Sequence, residues 1–336
     1  TEAEKAKRLT PDHPAVKNRI VNEALAAAVK SSPSPVYTKD VVKKITTGNF
    51  TDNMKDIAGC DWIIEVVVER LDIKQRVLAE VEQFRKPGTL ITSNTSGIPI
   101  HLMTEGRSED FKKHFCGTHF FNPPRYPRLL EIIPTSYTDP QVVDFLMEYG
   151  DLFLGKTTVL CKDTPAFIAN RVGVYSMALI FQLVEKLGLS IDEVEALTGP
   201  AFGRPKSATF RTADVVGIDT LVKVAKGVYE NCPEDEARDT FIIPSWVERL
   251  VENKWLGDKT GQGFFKKIKS KAGGSEILVL NLSTLEYEPR QKPRFATIET
   301  AKAIDDLSLR IKALTAGQDK AGEFYRAFHY GLFSYI

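Results

Sequence analysis

The chain has 336 residues, enough for two domains with cores of their own. Hydrophobic residues make up 43% and charged residues 26%, the balance of a soluble globular protein, and the net charge of +1 leaves no electrostatic footprint for a nucleic acid or a membrane surface. No apolar run approaches the roughly 20 residues of a spanning helix.

The start, TEAEKAKRLT, is charged and lacks the apolar core of a signal peptide, which points to the cytoplasm. Residues 1–30 are expected to be helical, ending at the breaker Ser31-Ser32-Pro33-Ser34-Pro35. The run 62–68, WIIEVVV, is nearly continuous and β-branched, as in a strand covered on both faces. Residues 72–84 predict a helix with Ile73, Val77, Leu78, Val81 and Phe84 on one stripe. Strands follow at 89–93, 116–121 and 129–133, then a helix over 140–153 and a strand over 157–161. Strands alternating with helices give an α/β sheet.

After Asp163-Thr164-Pro165 the pattern becomes helical: 167–186, 191–198, 220–229 and 244–253. A separate all-α domain is expected there. The basic run KKIKSK (266–271) is expected to be a solvated linker, residues 276–289 a β-hairpin, and the end from Thr297 helical again. Cys60, Cys116, Cys161 and Cys232 form no CxxC pair, and the five histidines are scattered without HExxH. That argues against a zinc site and fits a reducing compartment.

His119 ends one apolar run, and Glu131 lies twelve residues on inside the next, with Pro123 and Pro124 making a turn between them. If the two runs are adjacent strands, the side chains meet. A carboxylate on one imidazole nitrogen fixes the tautomer and leaves the other nitrogen as a general base. The alternative is a strand-end histidine near a structural carboxylate.

The stretch THFFNPPRYPRLLEIIP (118–134) resembles the signature of L-3-hydroxyacyl-CoA dehydrogenases, the NAD-dependent enzymes of fatty-acid β-oxidation. The similarity runs from about 61 to 265. The resemblance implies an NAD-binding Rossmann-type domain over 1–162, a helical domain over 163–267, and a hairpin linker with the start of a second helical repeat over 268–336. It implies that His119 is the base and Glu131 its orienting partner. Val68-Glu69-Arg70 is similar to a segment whose glutamate lies beside the nicotinamide; the other reading of Glu69 is a carboxylate at a helix N-terminus. Ser93-Asn94-Thr95-Ser96 matches a segment whose second serine bonds the substrate's 3-oxygen, so Ser96 is its counterpart, unless it only caps a turn. Glu69, Lys74, Asn94 and Ser96 are the residues implied at the cofactor. KDTPAFIANR (162–171) resembles KDTPGFIxNR, which makes Asn170 a further catalytic residue or else a buried structural amide; alanine at 166 in place of the usual glycine is expected to matter little. DVVGID (214–219) and GQGFF (261–265) match the helical domain's closing segments. No metal is implied. The acyl-CoA substrate is expected in a cleft between the domains, and pairing, as a homodimer or within one longer chain, through the helical domain.

A dinucleotide fold opens with a strand, GxGxxG and a helix. Before Gly88 the only glycines are Gly48 and Gly59. The α/β domain is therefore expected to be an incomplete Rossmann type. The chain is expected to be an internal piece of a long bacterial, multifunctional member that also carries an enoyl-CoA hydratase module, and to hold NAD weakly. Two other readings remain open: a dehydrogenase of a free hydroxy acid, and a non-catalytic assembly fragment.

Overall fold

The computed structural model describes residues 1, 8–269 and 274–336. The chain divides into two compact units, 1–167 and 168–336.

The first unit is built on a mixed five-stranded sheet in the order β1-β2-β3-β4-β5: β1 Trp62–Glu65, β2 Leu90–Ser93, β3 Phe115–Phe120, β4 Leu129–Pro134 and β5 Thr157–Leu160. β1, β2 and β3 are parallel, β4 runs antiparallel to β3, and β5 is parallel to β4. The unit's longer helices are α1 Arg19–Lys30, α2 Leu71–Phe84, α3 Glu109–Lys113 and α4 Pro140–Leu152, with four-residue turns of helix at Pro14–Lys17 and Phe50–Asn53. Alternation along the strands sorts their side chains into two cores. Ile91, Phe115 and Ile133 pack with Val77, Leu78 and Val81 of α2. Their chain neighbours Leu90, Cys116 and Ile132 pack on the other face with Leu146 of α4. This is the α/β sheet the sequence predicts.

The helix expected over 1–30 is in two pieces, Pro14–Lys17 and α1, and residues 2–7 lie outside the described residues. Pro14 occupies the first turn, where its missing N–H costs nothing but the helix cannot continue backwards. The run 62–68 is not a strand covered on both faces. It leaves the sheet after Glu65, and β1 is an edge strand. The Glu65 carboxylate accepts the Val67 N–H at 2.5 Å, and the Glu65 carbonyl accepts the Asn94 N–H, so the chain folds onto its own side chain there. Val66 and Val68 are exposed as a result, and Ile64 is exposed within the edge strand itself.

The second unit opens with α5 Ala169–Leu187, then α6 Ile191–Thr198, α7 Phe210–Val216, α8 Ile218–Asn231 and α9 Ser245–Glu252. α5 ends at Gly188 in the left-handed region, and a capping box of Ser190 and Glu193 starts α6. A three-stranded antiparallel sheet follows: β6 Phe265–Lys269, β7 Ser275–Leu280 and β8 Tyr287–Pro289. The unit ends with α10 Ala296–Ala301, α11 Leu307–Ala316 and α12 Lys320–Tyr335. The basic run at 266 is thus not a linker: Lys266, Lys267, Ile268 and Lys269 pair with β7 as an edge strand. Lysine is a residue that protects such edges, and the Lys266 ammonium lies over the Tyr287 ring. Residues 270 and 271 of that run lie outside the described residues.

The backbone at the end of the first unit shows why α5 starts two residues later than the pattern suggests. Ala166 and Phe167, just before it, have φ of 63° and 49°. Alanine at 166 therefore matters: it holds a left-handed conformation that glycine adopts without strain, at a cost of roughly 1–2 kcal/mol.

Candidate active site

β3 and β4 pair antiparallel with His119 directly opposite Glu131. Directly opposed residues project to the same face, here the face that carries Phe115, Ile133 and α2. His119 Nδ1 and Glu131 Oε2 are 2.6 Å apart. Both residues are buried, His119 at 5% exposure and Glu131 at 0%. With Glu131 ionised, Nδ1 carries the proton and Nε2 is left as a base. Phe121 and Phe167 pack against the imidazole, with ring centroids 4.4 and 5.7 Å away. The Cys161 thiol is pushed up to about 12 by burial, and the neighbouring Glu131 adds to that through its charge and a hydrogen bond. Cys161 therefore stays protonated beside the dyad. Nothing in the spacing of the cysteines indicated this; only the β4–β5 register brings residue 161 there.

A second cluster forms at the carboxyl ends of β1 and β2. The Thr95 hydroxyl donates to Glu69 Oε1 at 2.6 Å, and the Ser96 N–H donates to the same oxygen at 3.1 Å. Burial works against the charge of Glu69, but the Thr95 hydroxyl, the Lys74 ammonium and the Ser96 amide outweigh it and hold this carboxyl below the usual range. The Lys74 ammonium lies behind Glu69 and is 1% exposed. It donates to both Glu65 oxygens at 3.0 and 3.1 Å and to the Val67 carbonyl at 3.2 Å, and lies 3.3 Å from Glu69. Glu65 also accepts from the Ser93 hydroxyl at 2.5 Å. The helical stripe that places Val77 and Leu78 in the core also takes Lys74 inward, and Glu65 is the partner that makes this tolerable. The Phe120 N–H donates to the Asn94 side-chain oxygen at 2.9 Å, which ties the end of β2 to the residue after His119. Ser96 is exposed at the end of this row.

Asn170 lies in the first turn of α5, in the second unit. Among the described residues no group of three or more His, Cys, Asp or Glu side chains could hold a metal ion, and no helix is long and apolar enough to cross a membrane.

Two family models match this chain: 3-hydroxyacyl-CoA dehydrogenase, NAD binding domain, over residues 10–164, and 3-hydroxyacyl-CoA dehydrogenase, C-terminal domain, over residues 167–267. A Deinococcus radiodurans protein named probable 3-hydroxyacyl-CoA dehydrogenase is 44% identical over 261 residues, which cover 78% of this chain and 74% of the relative. The chain belongs to the 3-hydroxyacyl-CoA dehydrogenase family. A Bacillus subtilis protein of the same name is 45% identical over 322 residues; these are 96% of this chain but 40% of that relative, so the chain spans well under half of its length. Among solved structures, Mycobacterium tuberculosis FadB2 superposes with a TM-score of 0.60 at 28% identity, covering 75% of this chain and 85% of that one.

A carboxylate held charged, Glu69, and an exposed serine, Ser96, stand where the parallel strands β1 and β2 end, the edge at which such sheets bind nucleotides. Among the described residues no glycine-rich turn leads into a helix N-terminus, so no pyrophosphate contact is assigned.

Proposed function

We propose that the protein containing this chain oxidises L-3-hydroxyacyl-CoA to 3-oxoacyl-CoA in fatty-acid β-oxidation. The observation that carries this reading is the 2.6 Å contact between His119 Nδ1 and buried Glu131. It leaves one imidazole nitrogen basic and aimed by its partner, the arrangement needed to take a proton from an alcohol. His119 Nε2 takes the proton of the substrate's 3-hydroxyl, and Glu131 stabilises the imidazolium that results. Ser96 holds the substrate oxygen while its charge changes, and Asn170 is a further catalytic residue of the reading. Glu69, with Thr95 and the Ser96 amide fixing its carboxylate, faces the nicotinamide. Asn94 joins the two clusters through Phe120. When bound, NAD supplies the acceptor for the hydride that leaves C3.

The long bacterial type is the finer form of this proposal. In support, the Bacillus relative matches along 322 residues, well past residue 267 where the C-terminal family model stops. The helices α10, α11 and α12 then begin a second helical repeat, with pairing through the helical domain.

The test is substrate choice in the full-length protein. We expect NAD-dependent oxidation of 3-hydroxybutyryl-CoA, with the free hydroxy acid slower by about 100-fold or more, since remote binding energy is used at the reacting centre. Equal rates on the free acid would replace the thioester by a hydroxy acid as substrate, and no oxidation of either would favour an assembly role.

A further inference from the structure

The connection from β3 to β4, residues 121–128, joins the strand of His119 to the strand of Glu131. It contains Pro123, Pro124 and Pro127, which have no N–H, so the loop cannot tie itself down through a backbone ladder. It makes one turn bond of its own, from the Tyr126 N–H to the Pro123 carbonyl. Its other carbonyls need donors from elsewhere.

Lys156 supplies two of them. Its ammonium donates to the Pro124 carbonyl and to the Pro127 carbonyl, the latter at 2.8 Å. The side chain is 5% exposed, and burial holds the ammonium below the usual lysine range. Among the described residues no carboxylate pairs with it, so two carbonyl dipoles are its counter-groups. A buried cation so placed is costly, and an apolar side chain of similar length would fill the space without that cost. What only the lysine provides is a fixed bridge between the middle of the loop, at Pro124, and its far end, at Pro127.

The base of that bridge is rigid. The Lys156 N–H donates to the Gly150 carbonyl at the end of α4, and the next residue, Thr157, donates to the Arg128 carbonyl as β5 joins β4. On the loop's outer side, Arg125 donates to the carbonyls of Ser34 and Val36, each at 2.9 Å, and stacks on Tyr37 at 3.7 Å. Residue 121, the first of the loop, is the phenylalanine packed on the His119 ring. A displacement of the loop is thus delivered to the imidazole by direct contact.

We infer that Lys156 is a positioning residue for the reaction: by bridging Pro124 and Pro127 it fixes the loop that sets Phe121 against His119, and so holds the imidazole in line with Glu131. This rests on the reading of His119 as the base for its catalytic consequence, but not for its geometric one.

The experiment is to replace Lys156→Met in the full-length protein and follow the proton on His119 Nδ1 by NMR with ¹⁵N-labelled histidine. In the wild type we expect the short bond to Glu131 to give a strongly deshielded, slowly exchanging signal. We expect this signal to be lost or to move upfield in the variant. Turnover of 3-hydroxyacyl-CoA should fall about 10- to 100-fold with little change in KM, the size expected when a reacting group is misplaced by about an ångström. An unaltered dyad signal overturns the inference whatever happens to the melting temperature, because a residue that only stabilises the fold would leave the dyad intact. If the methionine variant does not fold, Lys156→Gln keeps one donor within reach of the loop and is read in the same way. If His119→Gln retains activity, the base assignment fails, yet the dyad signal in the Lys156 variant still decides the positioning role.

Discussion

At the scale of single residues, the dyad and the cluster behind it differ in how they could be read. His119 and Glu131 were visible because a twelve-residue spacing across a proline turn suits two neighbouring strands, and the register bears that out. Lys74 was not visible as a buried group: a lysine between apolar positions on a helix reads as exposed until its partner Glu65, nine residues earlier, is placed beside it. The pair makes a specific expectation. Lys74→Met leaves the Glu65 carboxylate, 4% exposed, without its cation; removing one partner of a buried ion pair costs about 3–5 kcal/mol. The double variant Glu65→Gln with Lys74→Met should recover a good part of that loss. Chemical denaturation of the two variants and the wild type measures it. A single variant as stable as wild type would show that the pair is not coupled.

At the scale of elements, the strongly periodic segments were legible and the exceptions have local causes. The helix over 191–198 begins and ends where the sequence indicates, since a serine–glutamate capping box opens it and Gly199 closes it. The run at 62–68 misled because β-branched residues favour strand while one carboxylate, Glu65, diverts the backbone after itself. The lysine-rich strand β6 misled because charge reads as linker, although lysines suit an edge strand, here one that opens at the buried Phe265 and pairs with β7. Ala166 belongs to this scale too, since a left-handed φ cannot be seen in the residue type. Ala166→Gly should stabilise the protein by about 0.5–1 kcal/mol, the relief of strain less the extra backbone entropy of glycine. A thermal melt that shows the glycine variant equal or lower would mean that the site has relaxed around the alanine.

At the scale of the whole molecule, two units with different ionisable interiors should answer pH differently. In the second unit, burial pushes the Glu195 carboxyl up to about 7, against the amides of Phe210 and Arg211 and the charge of Arg290. Burial likewise raises Asp214 to about 6, against the amides of Phe264 and Phe265. A carboxyl whose folded value lies above its unfolded one keeps more protons in the folded state. Its contribution to stability is fully present below the unfolded value and is lost as pH rises through the folded value, here between about pH 4 and 7. Glu69 in the first unit is lowered and acts in the opposite sense, with stability lost as pH falls. Glu195→Gln should therefore leave stability at pH 5 nearly unchanged and raise the melting temperature at pH 8, by about 2–4 °C for each kcal/mol regained. Calorimetry at the two pH values tests this, and a variant that melts lower at pH 8 would show that the carboxylate is stabilising there.

The account as a whole depends on one proton transfer, so the most direct measurement is turnover of 3-hydroxyacyl-CoA by full-length His119→Gln beside the wild type. His114, which caps α3 and whose Nδ1 lies 2.7 Å from the Asp110 carbonyl, serves as the control. We expect kcat to fall about 100-fold or more in His119→Gln, the usual loss when a general base is removed, and to be essentially unchanged in His114→Gln. A His119→Gln enzyme within about threefold of wild type would contradict the assignment, since an effect that small lies far below the range for a general base.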